Sequence, residues 1–323
     1  MLIYDHALWL LLAALLLDAV IGDPDWLWRR FPHPVVWIGK IVSVFDLHLN
    51  RSDRSALARR LGGVLTLLAL LIGGLGIGAI VQSVADRIPF GETLIAIIAA
   101  VFIAQNSLYR HVAAVRDGLS EGGLEGGREA VSMIVGRDPK QLDEAGVSRA
   151  AIESCAENFS DGVVAPVFWF AVLGLPGLLA YKAVNTADSM IGHKNEKYAD
   201  FGWASARFDD LINLPASRLS GLFIALAAPL AGGSIGKSLT CIRLDAPMHR
   251  SPNAGWPEAA MAGALGIALA GPRVYPGYTV DDPYMNVSGK KDVSIVDVQR
   301  ALKVLLGACF VQAGALILVL TAT

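Results

Sequence analysis

The sequence predicts an all-α, polytopic integral membrane protein of about five to six membrane helices, some broken or re-entrant, with cytoplasmic loops forming the site. Three observations carry this expectation. Of 323 residues, 54% are hydrophobic and only 17% charged, against about a quarter charged in an ordinary soluble protein. Residues 61–84 contain no charge, and residues 301–321 contain only Lys303. A hydrocarbon core takes roughly 20 helical residues to cross, and both runs have that length. No internal repeat divides the chain, so residues 1–323 are expected to form a single membrane domain.

In chain order, the expected membrane segments are 5–22, 61–84, 91–107, 163–180, 218–235 and 301–321. The first lacks a basic n-region, carries Asp18 and runs into Gly22-Asp23-Pro24, so it reads as a retained helix and not a cleaved signal. The apolar stretch 258–271 is too short to span alone. Loop 23–60 holds seven basic residues (Arg29, Arg30, Lys40, Arg51, Arg54, Arg59 and Arg60), whereas turn 85–90 holds only Arg87. The positive-inside rule therefore puts 23–60 and 108–162 on the cytoplasmic side. A complete crossing by 163–180 would leave the polar region 181–217 outside. Leu175-Pro176-Gly177 and Ala228-Pro229-Leu230 interrupt the relevant segments, and broken or re-entrant helices would return the chain to the cytoplasm. The glycine-rich run 121–127 predicts a flexible turn.

Composition also excludes some functions. A net charge of −2 argues against a general nucleic-acid binder. Cys155, Cys241 and Cys309 are widely spaced and form no CxxC pair, so neither a zinc site nor a disulfide framework is expected. Residues 231–238 match a relaxed Walker A pattern with Ala231 replacing the first glycine. That motif needs a strand before its loop, and LFIALAAPL reads as membrane helix instead.

Four polar stretches remain, and polar residues beside membrane segments are costly enough to suggest a task. In the first, Arg149, Glu153, Glu157 and Asp161 recur at i, i+4 on one helical face. Arg149 can pair with Glu153, but the later acids repel one another unless a cation intervenes; a solvated helix face is the plainer alternative. In the second, Lys182, Asn185, Asp188, Ser189 and Gly192 share a face opposite Val184 and Ile191. Asn and Asp at this spacing suit a magnesium ion that keeps several waters and bridges phosphate oxygens, with Lys194 and Lys197 available to neutralise phosphates. The third, Arg207 to Arg218, places Asp209 and Asn213 one turn apart, with Asp210 adjacent. It is a weak motif alone, equally compatible with capping or ion pairing. The fourth gathers His249, Arg250 and Asn253 before Pro257, a residue suited to the first helical position, where free N–H groups can receive an anion.

The strings LLLDAVIGDP (15–24), PHPVVWIGK (32–40), IVGRDP (134–139), ESCAENFSDGVVAPVFW (153–169), the run from Tyr181 to Leu219 and HRSPNAGWPEAAMAGALG (249–266) together resemble the CobD/CbiB family of cobalamin-biosynthesis membrane proteins, the adenosylcobinamide-phosphate synthases. They cover nearly the whole chain in order. The resemblance implies an ATP- and magnesium-dependent ligase of the cell inner membrane. Such an enzyme joins the propionate carboxylate of adenosylcobyric acid to (R)-1-aminopropan-2-ol O-phosphate or the free aminoalcohol, with the corrinoid as substrate and not prosthetic group.

On that basis Asp188, Asp209 and Asp210 are expected to hold magnesium, supported by Asn185 and Asn213. Lys182, Lys194 and Arg207 would bind phosphates. His249, Arg250 and Asn253 would contact substrate phosphate or an acyl phosphate, and Glu153, Glu157 or Asp161 would orient the amine or accept its proton. Trp169, Trp203 and Trp256 could contact the corrin or anchor at the interface. Membrane lipid is an expected partner; a homo-oligomer and a complex with other late cobalamin-pathway enzymes are compatible with the resemblance, and nucleic acid is not. Two rival classes fit the polar helices: a magnesium-dependent transferase of a diphosphate lipid, and a non-catalytic transporter or sensor.

Overall fold

The structure is a computed structural model that describes residues 7–135, 139–275, 278–280 and 282–322. Gly136, Arg137 and Asp138 of the IVGRDP string lie outside the described residues, as do the first two positions of the expected 5–22 segment. The helices are α1 (Ala7–Ile21), α2 (Asp25–Trp28), α3 (Pro34–Leu49), α4 (Ala56–Ala85), α5 (Gly91–Phe102), α6 (Gln105–Ser132), α7 (Glu144–Phe159), α8 (Ala165–Ile191), α9 (Trp203–Ile212), α10 (Leu214–Ala227), α11 (Ile235–Asp245), α12 (Gly255–Leu265) and α13 (Ile295–Ala322). Two short antiparallel pairs accompany them: β1 (Leu269–Ala270) with β4 (Tyr284–Met285), and β2 (Arg273–Tyr275) with β3 (Tyr278–Val280). These strands were not foreseen; each is only two or three residues long, too short for a period-2 pattern to register.

Five helical stretches are long and apolar enough to cross a membrane: 56–85, 91–132, 144–191, 214–231 and 295–322, with 8–21 apolar but shorter. The chain is thus an all-α polytopic membrane protein. It folds as two compact units, one made of 1–104 and 165–213, the other of 105–164 and 214–323.

In the first unit, α4 and α8 pack tightly and run antiparallel. A Cβ on Gly74 would meet Ala180 Cα at 2.7 Å, and one on Gly78 would meet Pro176 Cα at 2.4 Å. Small residues allow this backbone approach, the usual means of joining helices in a lipid solvent. The antiparallel course brings residues 192–202, which follow α8, back beside the start of α4, where Phe201 is buried with Val42, Leu70, Ala183, Ala187 and Ile191.

Helix α8 is broken at Gly174, whose φ of 66° and ψ of −156° lie outside helical space. A straight helix would separate residues 169 and 177 by about 12 Å, yet the Trp169 carbonyl oxygen stands 2.4 Å from where a Gly177 Cβ would be. The apolar segment doubles back here, as the Leu175-Pro176-Gly177 interruption predicts. Its second arm continues to Ile191, well past the expected end at 180. The polar residues from Lys182 onward occupy one side only, leaving Val184, Ala187 and Ile191 buried on the other.

The second unit repeats the device. Within α6, Gly123 (φ 59°, ψ −150°) reverses the chain, so a Gly118 Cβ would touch the Gly126 carbonyl oxygen at 2.5 Å. The expected turn in 121–127 is therefore present, flanked directly by helix. A π-turn at Ser160–Val164 follows α7 and rotates Asp161 away from the α-helical i, i+4 series of Glu153 and Glu157. Helix α12 is buried at nearly every position from Gly255 to Leu265, which explains an apolar run too short to span.

Candidate functional site

In the first unit the second and third polar stretches converge. Asp209 on α9 is buried, and both its oxygens accept hydrogen bonds: Oδ2 from Asn213 Nδ2 at 2.9 Å and Oδ1 from Asn185 Nδ2 at 3.4 Å. Asn213, also buried, accepts the Tyr181 hydroxyl on its own Oδ1 at 3.0 Å. Asn213 thus braces Asp209 and has its own oxygen committed to Tyr181. The Trp169 indole donates to the Ile212 carbonyl at 3.1 Å, tying α8 to the end of α9; its polar edge is used for packing.

Burial pushes the Asp209 carboxyl up to about 7, with neighbouring Asp188 and Asp210 adding to the rise and the two asparagines opposing it. Burial also raises Asp210, while Arg207 and Lys194 pull it back. The three carboxylates, from two separate stretches, are therefore within electrostatic reach of one another, and Asp210 has Arg207 and Lys194 within reach as well. Asp188 also has His193 nearby, and Gly192 gives its carboxylate room: a Cβ there would sit 2.0 Å from Asp188 Oδ1. Lys182, from the same face of α8, is within electrostatic reach of His33.

The donor set is one for a hard cation, carboxylate and amide oxygen. Among the described residues no three His, Cys, Asp or Glu close into a complete metal cage. Such donors suit a hard cation that keeps most of its waters and takes only one or two carboxylates from the protein.

Lys197, expected to neutralise phosphate, is instead engaged: its Nζ donates to Asp46 Oδ2 at 2.8 Å and to the Tyr198 hydroxyl at 2.7 Å. Trp203 is 43% exposed, with the Arg60 guanidinium 4.9 Å from its ring centre. His33 caps α3 by accepting the Val35 N–H on Nδ1 at 3.2 Å, so Nε2 carries the proton and donates to the Val101 carbonyl at 3.2 Å. Burial lowers its pKa, with Asp23 opposing. The PHPVV string is thus at least a structural joint.

The first and fourth stretches belong to the second unit. Glu153 is buried and its Oε1 accepts the Ala270 N–H at 2.8 Å; Ala270 itself has a left-handed φ of 56°. Arg149 donates to the Lys291 carbonyl at 2.7 Å. Glu157 is exposed and Asp161 half-buried. His249 accepts the Ser251 N–H on Nδ1 at 3.1 Å, and its Nε2 lies 3.8 Å from buried Glu258. Arg250 pairs with Asp282 at 2.5 Å, and both line a small pocket with His249, Asp245 and Met285. Asn253 is buried, its Oδ1 accepting from Ser217 at 3.1 Å and Arg218 at 3.0 Å, and Arg218 also lies over the Trp256 ring at 4.5 Å. Asn253 therefore helps lock α10 to the loop before α12. That helix starts at Gly255, two residues before Pro257, which leaves Pro257 in the first turn, where its missing N–H costs nothing. The Walker-like run is preceded by helix and a 3-10 turn, Ala228–Ala231, and Ser234 simply caps α11.

Sequence reasoning missed Tyr181, Asp46, Arg218 and Asp282 as partners of these residues. Their contacts are long-range, and no local spacing signals them.

A family profile described as CobD/Cbib protein matches residues 11–305. The chain belongs to the CobD/CbiB family. The Cobalamin biosynthesis protein CobD of a Sinorhizobium species is 56% identical, over 96% of this chain and 97% of the relative. That of Rhizobium meliloti (strain 1021) is 56% identical over 94% of each chain, and that of Brucella suis biovar 1 is 50% identical over 90% and 89%. No solved structure matches the chain. Every stretch that carries the α8–α9 carboxylates lies inside the CobD/CbiB match, and so do His249, Arg250 and Asn253. The chain is a CobD/CbiB cobalamin-biosynthesis protein of the membrane.

Proposed function

We propose that this CobD/CbiB protein is an ATP-dependent carbon–nitrogen ligase, adenosylcobinamide-phosphate synthase. It would join the propionate carboxylate of adenosylcobyric acid to (R)-1-aminopropan-2-ol O-phosphate, or to free aminopropanol. The observation that carries this reading is the buried Asp209, gripped by Asn185 and Asn213 and set near Asp188 and Asp210, the last of which feels Arg207 and Lys194. A concentration of acid this costly in the native state is relieved by a cation, and the flanking bases suit the phosphates such a cation brings.

The chemistry asks for such a site. A carboxylate is a poor acyl donor because its leaving group would be oxide. Transfer of the ATP γ-phosphoryl to one carboxylate oxygen gives an acyl phosphate and ADP. The amine attacks the acyl carbon, the C–O bond breaks, phosphate leaves, and the amine proton passes to a base. Magnesium, when bound, would neutralise charge on the phosphates. One or two of Asp188, Asp209 and Asp210 would hold it together with waters, with Asn185 and Asn213 keeping Asp209 in place, while Lys182, Lys194 and Arg207 bind phosphate oxygens. In the second unit, the exposed Glu157 and the half-buried Asp161 are better suited to accept a proton than the buried Glu153, whose Oε1 accepts the Ala270 N–H. His249 and Arg250, at the pocket beside Asp282, are the groups we assign to a substrate phosphate.

The α8–α9 loop lies beside the start of α4, where Arg59 and Arg60 continue the basic loop 23–60. By the positive-inside rule this end of the unit faces the cytoplasm, where ATP is available.

The test is ligation by detergent-purified protein with adenosylcobyric acid, ATP, magnesium and aminopropanol phosphate, product being followed by mass spectrometry. Amide product from the wild type and none from Asp209→Asn or Asp188→Ala is expected. A folded wild type that makes no product and hydrolyses no ATP would overturn the reading. Turnover of an isoprenoid diphosphate instead would favour a lipid transferase.

A further inference from the structure

Lys194 lies between α8 and α9, two residues before a set of contacts made by residues of other helices. Between Gly192 and Phe201 the chain has no helix of its own and is held from outside. The end of α3 and the start of α4 do this holding. Asn50 donates through Nδ2 to the Lys197 carbonyl at 3.1 Å and to Asp46 Oδ1 at 2.8 Å. Its Oδ1 accepts from Arg59 Nε at 2.8 Å. The Arg59 guanidinium also donates to the Glu196 carbonyl at 3.2 Å and to the Lys197 carbonyl. Asp46 accepts on its other oxygen from Lys197 Nζ at 2.8 Å and from the Tyr198 hydroxyl at 3.3 Å. Next along α4, Arg60 reaches Asp200 at 3.9 Å and lies over Trp203, the first residue of α9. Two consecutive arginines thus hold the segment after Lys194 at its middle, at 196–197, and at its entry into α9.

This arrangement is costly unless it has a purpose. A charged guanidinium spends its donors on two backbone carbonyls of an exposed loop, and three further side chains are ordered to complete the grip. A loop needed only as a connector could be left solvated.

We propose that Asp46, Asn50 and Arg59 are positioning residues that clamp the 194–198 loop. The clamp fixes the chain two residues after Lys194 and so holds that lysine ready to receive nucleotide phosphates. This rests on the nucleotide reading of the α8–α9 site given above. The clamp acts on ground-state capture of Mg·ATP through Lys194. Its loss raises KM for Mg·ATP while kcat at saturation changes little.

The experiment is a double-mutant cycle on the full-length protein in detergent, reading KM for Mg·ATP, kcat and thermal stability. Arg59→Ala is expected to raise KM about tenfold, the size of effect that follows loss of a charge-assisted anchor. Arg59→Lys should recover part of it, and Asp46→Asn should act in the same direction. In a Lys194→Ala background, Arg59→Ala should add less than about twofold, because the two act on one step. Full additivity, or a fall in stability and kcat with KM unchanged, would mean the contacts are merely structural and overturn the proposal. A wild type that fails to bind Mg·ATP overturns the nucleotide site and the clamp together. A wild type that binds it, with KM indifferent to Arg59→Ala, overturns the clamp alone.

Discussion

Asn213 holds Asp209 by a 2.9 Å hydrogen bond between two buried side chains, one turn apart and both shut away from solvent. The amide cannot swing away, because its oxygen is fixed by the Tyr181 hydroxyl on α8. A chain from Tyr181 through Asn213 thus sets the orientation of the one fully buried acid of the site, and several consequences can be measured.

Asn213→Ala leaves the buried Tyr181 hydroxyl and one Asp209 oxygen without their partner. A cost of about 1–3 kcal/mol is expected, the usual penalty for an orphaned buried polar group. Tyr181→Phe removes the bond to Asn213 but leaves the amide on Asp209, and should cost about 1 kcal/mol. Ligation should fall steeply in the first variant and by a few-fold in the second, measured alongside thermal unfolding in detergent. Equal effects in both would contradict the chain of support.

The Asp209 carboxyl is raised by burial from 3.8 to about 7. Between those values the native state keeps a proton that the unfolded chain has released, so stability falls as pH rises from about 4 to about 7. Asp209→Asn should therefore show a shallower loss of Tm between pH 5 and 8 than the wild type. Added magnesium should raise the wild-type Tm at pH 8 more than at pH 5 and leave the variant nearly unmoved. Parallel pH slopes for the two proteins would argue that Asp209 does not titrate in this window.

Gly78 and Gly73 make a matched pair on α4. A Cβ at Gly78 would stand 2.4 Å from Pro176 Cα, whereas one at Gly73 meets nothing within 4 Å. Gly78→Ala should force α4 and α8 apart and sharply reduce folded yield, while Gly73→Ala should be neutral or slightly stabilising. Size-exclusion profiles and thermal stability of the two variants decide it, and a well-folded Gly78→Ala would show the helix contact to be softer than drawn.

Glu153 separates a structural from a chemical carboxylate. Glu153→Gln retains an oxygen for the Ala270 N–H, so stability and ligation should stay within a few-fold of wild type. Glu153→Ala strands that buried N–H and should cost about 1–3 kcal/mol. A stable Glu153→Gln that makes no amide would instead give this residue the proton-accepting role now assigned to Glu157 or Asp161.

Much was legible in the sequence because it is local. The uncharged run 61–84 dictated a membrane helix through transfer energy alone. The one-sided spacing of Lys182, Asn185 and Asp188 fixed which face of α8 is polar, and Leu175-Pro176-Gly177 marked where the apolar segment would break. The order of the motifs also pointed to the CobD/CbiB family. The sequence could not show that the break lies at Gly174 and folds the segment back on itself, since one backbone dihedral decides that. Nor could it show that Lys197 is spent on Asp46, or that Asn253 is spent on Ser217 and Arg218, because such pairings join residues tens to about 150 positions apart. Spacing along a helix says which residues share a face. Only the antiparallel return of α8 along α4 decides which other face meets it, because that choice is made by backbone fit at small residues and by the saturation of buried hydrogen-bonding groups.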